Sequence, residues 1–153
     1  KRIFDVVNDL KQGAVVLKGA NAVDIANRRA AILIGHPQAG TIGAILQAHA
    51  GRRVQLLIPV GLEKRVVGDI DAIARRVNAP EASGPRLLPV PGETYTEIDA
   101  IRQLTGATAE LIAAGGVSRA EGCVWLSVAG SPDSMDRADA LLTSVAKEPA
   151  FNI

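Results

Sequence analysis

The stretch GHPQAGTIGAILQ, residues 35–47, comes directly after the apolar run Ala30–Ile34. Gly35, four further residues, Gly40 and Thr41 come within one residue of the loop that grips nucleotide phosphates. In that loop a Lys follows the second Gly and meets the terminal phosphates. The Lys is missing here, and LLIPVG, residues 56–61, ends in Gly rather than in a metal-binding Asp. Nucleotide hydrolysis is therefore not expected. Two uses remain for Gly40, Thr41 and Gly43 at a strand-to-helix turn. Free backbone amides and the helix dipole there favour an anion. Alternatively, the small residues only let the helix approach the sheet.

Other reactive residue types carry less. His36 and His49 have no Cys, Asp or Glu at metal spacing, so a loop His bonded to backbone is expected at position 36, and no metal or cofactor. Cys123 precedes Val124 and Trp125 in an apolar run and reads as a structural thiol. Ser118, Ser127, Ser131 and Ser134 lack a nucleophile motif such as G-x-S-x-G. Glu93, Glu97 and Asp99 lie at or before a helix start, with Thr94 or Thr96 as N-cap. There carboxylates suit the dipole better than acid–base work.

The elements that hold these residues follow from hydrophobic periodicity. A helix is predicted over 2–11, closed by Gly13, then strands at 14–17 and 30–34, a helix to about His49, a strand at 53–60 and a helix over 66–77. Short aliphatic strands alternating with helices predict parallel pairing, an α/β Rossmann-like core over 1–77. NAPEASGPR, residues 78–86, breaks the pattern with two prolines and a glycine and reads as a boundary. Beyond it, strand 87–90, helix 94–105, strands 109–114 and 123–129, and helix 133–146 predict an appended βαββα lobe over 86–153, of the split-βαβ, ferredoxin-like kind.

The whole chain sets the bounds. Its 153 residues, 48% hydrophobic, suffice for a sizeable core, but with two Phe, one Tyr and one Trp that core is aliphatic. A net charge of +1 without charge runs gives no reason to expect nucleic acid as a partner. No apolar run approaches the roughly 18 residues of a membrane span. A single cysteine fits a reducing cytoplasm. The chain begins at Lys1 rather than Met, and a segment ahead of it is expected.

The order of pieces resembles the second half of ribose-5-phosphate isomerase A, whose superfamily includes CoA transferases, glucosamine-6-phosphate deaminases and the sugar-sensing domains of DeoR-type repressors. The isomerase turn D-G-A-D-E-V-D is matched by Lys18-Gly19-Ala20-Asn21-Ala22-Val23-Asp24. Its strand, glycine run and helix are matched by ILIGHPQAGTIGAIL. Its D-E-S-K-L-V is matched by Gly61-Leu62-Glu63-Lys64-Arg65-Val66, and its inserted lobe by 87–147. The resemblance implies a ligand pocket containing Asn21, Asp24 and Lys64, the last aligned with a substrate-contacting Lys. It also implies a phosphate loop upstream of Lys1. The acidic turn keeps only Asp24, and the family's base falls near Ile42 or Gly43, so isomerisation is not expected. Lys18 and Asn21 in place of carboxylates, with Lys64, make the pocket cationic. The expected function is binding or sensing of a small phosphorylated or carboxylated metabolite by Lys18, Asn21, Asp24, Gly40, Thr41, Gly43 and Lys64. The alternatives are a divergent isomerase-like or transferase-like enzyme completed by an upstream segment, and an oligomerisation module whose lobe packs against copies of itself.

Overall fold

The computed structural model describes residues 3–118 and 120–149. The chain divides into two compact units, one up to Tyr95 and one from Thr96.

In the first unit, α1 (Ile3–Val6) runs into a 3-10 turn, Val7–Asp9. Arg52 satisfies the carbonyls at its end, donating to Leu10 O at 3.0 Å and Val7 O at 2.8 Å. There follow β1 (Val15–Leu17), β2 (Ala22–Asp24), β3 (Arg29–Ile34), α2 (Gly40–Arg52) and β4 (Gln55–Pro59). After a 3-10 turn, Leu62–Lys64, come α3 (Ile70–Val77), β5 (Arg86–Val90) and β6 (Glu93–Tyr95). β4 is the centre of a parallel sheet ordered β1-β4-β6. The α/β, Rossmann-like character is therefore present, with the strands predicted at 14–17 and 53–60 as parallel neighbours. Ile42, Leu56, Ile58 and Val23 are nearly inaccessible and form the aliphatic core with Ile32, Ile45 and Val90.

β3 departs from expectation. It was predicted as a parallel strand, yet it pairs antiparallel with β2 on one side and β5 on the other. The cause is local. The Asp24 carboxylate accepts from the Asn27 amide at 3.1 Å and from Asn27 Nδ2 at 2.7 Å, and Arg28 turns through positive φ (52°). Side-chain mimicry of a backbone turn reverses the chain within four residues. The segment read as a turn before position 30 thus contains a strand.

β5 also moves. Predicted to open the second lobe, it closes the β2-β3-β5 sheet instead. Asn78 bridges the proline-rich segment, with Nδ2 donating to Leu87 O at 2.7 Å and Oδ1 accepting from Leu87 N at 2.9 Å. The interruption at 78–86 is therefore a loop inside the first unit.

The second unit comprises α4 (Glu97–Thr105), β7 (Thr108–Ala114), β8 (Val124–Ala129) and α5 (Pro132–Val145). Thr96 starts α4 in a reciprocal capping box with Asp99, as the Thr and acidic residues in that turn suggested. Gly106 (φ 77°) ends it in the left-handed conformation that favours glycine. Ser131 caps α5 and Pro132 follows at a position needing no amide. β7 and β8, the strands predicted at 109–114 and 123–129, form an antiparallel hairpin with a bulge between Leu111 and Ala113. Ile101, Ala107 and Ala138 form its core, against which Ala109, Leu126 and Val128 pack.

Among the described residues no helix is long and apolar enough to cross a membrane.

Candidate functional site

The loop from Gly35 to Ala39 is built from its own backbone. Ala39 N donates to His36 O at 3.0 Å, and Gln38 N donates to His36 Nδ1 at 3.1 Å. Arg86, opposite on β5, donates to Gly35 O at 3.2 Å. Ala39 and Gly40 both have positive φ, 59° and 55°. This left-handed pair swings the chain from strand into α2. No side chain caps α2, whose first residues are Gly40 and Thr41. The first turn of a helix leaves amides without intrahelical partners, and they carry its positive dipole end.

Lys18 comes directly after β1 and is half-buried; its ammonium donates to Gly19 O at 3.1 Å. Asn21 ties the sheet together, its amide donating to Ala31 O at 2.9 Å and its Oδ1 accepting from Leu33 N at 3.0 Å. Lys18, Asn21, His36, Gly40 and Thr41 line one cavity of about 290 Å³, floored by Ile32 and Ile34. A second cavity of about 480 Å³ shares His36 and Gly40 and adds Phe4, Gln38, Gly43 and Gln47. Four of the seven expected site residues thus converge. His36 was read only as a loop histidine bonded to backbone; it makes that bond and also borders both cavities. Its place two residues after a strand end was the signal.

The other three residues sit elsewhere. Gly43 donates its amide to Ala39 O at 3.4 Å, so it does not offer that group to a ligand in the Lys18 cavity. A Cβ at Gly43 would lie 2.6 Å from the Gln38 carbonyl oxygen, which makes it a close-packing glycine. Lys64 does not line the Lys18 cavity; it lies beside Glu63, 3.8 Å away, on the 3-10 turn after β4.

Asp24 is buried in the β2–β3 turn and does not line the cavity. The hydrogen bonds from the Asn27 side chain and then its backbone hold the carboxyl below its ordinary value of 3.8, against an opposing effect of burial. Its job is structural. Asp24→Ala should destabilise the chain by about 1–2 kcal/mol, because the Asn27 side chain and the Asn27 and Ala26 amides lose their acceptor. With the folded pKa depressed, the carboxylate's contribution is complete above the unfolded value and is lost as pH falls through the folded one. Urea midpoints of parent and variant should therefore differ at pH 7 and converge in acid below about pH 4.

Elsewhere the polar groups are occupied structurally. His49 Nδ1 lies 2.8 Å from Val54 O, Cys123 Sγ donates to Gly115 O at 3.0 Å, and Asp99 serves the α4 cap. Among the described residues no three His, Cys, Asp or Glu are grouped to hold a metal.

No family model matches the chain, and comparisons with curated proteins and with solved structures give no significant match either.

Proposed function

We propose that the first unit binds a small anion, the phosphate or carboxylate of a metabolite, at the start of α2. One observation carries this reading: Lys18 and the uncapped Gly40–Thr41 turn line the same cavity. The Lys supplies a full positive charge and the helix start supplies amides and a partial one. Asn21, His36 and Thr41, side chains able to hydrogen-bond, line the same cavity. A volume of about 290 Å³ is at the lower end for small-molecule pockets and suits a phosphate or short acid. Neither Asp24 nor Glu63 lines the cavity to serve as a carboxylate base, so the reading is recognition rather than turnover.

Calorimetric titration with inorganic phosphate tests it. Binding should weaken with added salt and should fall about fivefold in Lys18→Ala, the roughly 1 kcal/mol of one partly exposed charge. Lys64→Ala should leave it unchanged. No binding at millimolar phosphate, or equal losses in both variants, would contradict the reading.

A further inference from the structure

The sheet of the second unit has only two strands, so each has an edge that no other strand covers among the described residues. A two-stranded sheet is marginal by itself, and an open edge is a template for another strand. The two edges differ. β7 carries Glu110 and the bulge at Leu111–Ala113, both of which discourage pairing. β8 reads VWLSVA, with no charge and no proline. Its inner face is unfinished too, since Val124, Leu126 and Val128 are only half-buried, the last two against the core of Ile101 and Ala138.

We infer that β8 pairs antiparallel with β8 of a second copy of this chain. The choice of a second copy rests on symmetry and charge. A two-fold axis brings the same uncharged six-residue edge together from both sides, with no like charges opposed. Pairing β8 with β7 of another copy would be head-to-tail and open-ended, and it would meet Glu110 and the bulge. Directly opposed residues in an antiparallel pair point to the same face. Only a register matching inner residues with inner residues therefore puts the helices of both copies on one side. With the axis at Leu126, the two Leu126 side chains face each other, Val124 faces Val128, and Trp125 faces Ser127 on the open side. The product is a four-stranded sheet, β7-β8-β8-β7, with α4 and α5 of each copy over one apolar face.

Sedimentation of the full chain over a range of concentrations, with amide hydrogen exchange at both ends of the range, tests this. A monomer–dimer equilibrium is expected, with protection at 124–129 rising with concentration and protection at 108–114 unchanged. In a Cys123→Ser background, Leu126→Cys should oxidise to a covalent dimer at least about ten times faster than Ile112→Cys on β7, because only directly opposed strand positions meet disulfide geometry. A monomer at every concentration would overturn the inference. So would added protection on β7 in place of β8, or equal cross-linking at the two positions. The exchange measurement stands on the unaltered chain even where a cysteine variant fails to fold.

Discussion

Ile58→Ala should lower the stability of the first unit by about 3–4 kcal/mol, the largest single loss expected in the chain. Ile58 is fully buried on β4, the strand with parallel neighbours on both sides. It points with Leu56 toward the path of Gly92, where even a Cβ would come within 2.7 Å of both side chains. Three methyl(ene) groups removed there leave a cavity that the neighbouring strands cannot collapse into, so the transfer and cavity costs add. Urea unfolding followed by far-ultraviolet circular dichroism measures the effect. Trp125 lies in the second unit, so its fluorescence reports that unit separately. A loss below about 1 kcal/mol would mean that β4 is not the packed centre described here.

Gly43→Ala should cost about 2 kcal/mol and also weaken phosphate binding. On helix propensity alone the change would stabilise by about 1 kcal/mol. The steric effect wins because the new Cβ meets a backbone carbonyl, Gln38 O at 2.6 Å, with Ala39 Cβ at 3.3 Å behind it. That carbonyl cannot swing away alone. The Gln38 and Ala39 amides are both bonded to His36, so the whole 36–39 turn has to shift. The turn lines the proposed anion cavity, so stability and binding fall together. Thermal unfolding paired with phosphate titration measures both. A stabilised variant with unchanged binding would show the turn to be a yielding loop.

The parts of this fold legible in the sequence are those governed by local signals. Continuous aliphatic runs marked β1 and β4, and their pairing is parallel as such runs suggest. Thr96 with Asp99 marked the start of α4 through capping chemistry. β3 and β5 were found as strands but not in their directions, because a buried run looks the same whichever way its neighbours point. The signals that decide their pairing are single side chains imitating backbone, Asp24 toward Asn27 and Asn78 toward Leu87, and these are easily read as ordinary loop polarity. The predicted start of α3 at Val66 is early for a similar reason: Asp69 caps the helix by accepting from Asp71 N at 2.8 Å, so it begins only at Ile70. At the site, the glycine turn and Lys18 were visible because both follow strands. Asp24 and Lys64 are expected there only from the resemblance in the order of elements, and side-chain direction does not follow from order. Gly43 shows the converse, a glycine chosen for what it avoids.

The proposed anion site is Lys18 together with the first turn of α2. An amide NMR titration of the full chain with inorganic phosphate tests it most directly. Shifts should be largest at Gly40, Thr41 and Ile42, extend to Lys18 and His36, and fade in Lys18→Ala. Residues 61–66 around Lys64 should stay unmoved. Shifts concentrated at 61–66, or none anywhere at millimolar phosphate, would contradict the account and leave residues 35–43 as a turn between β3 and α2.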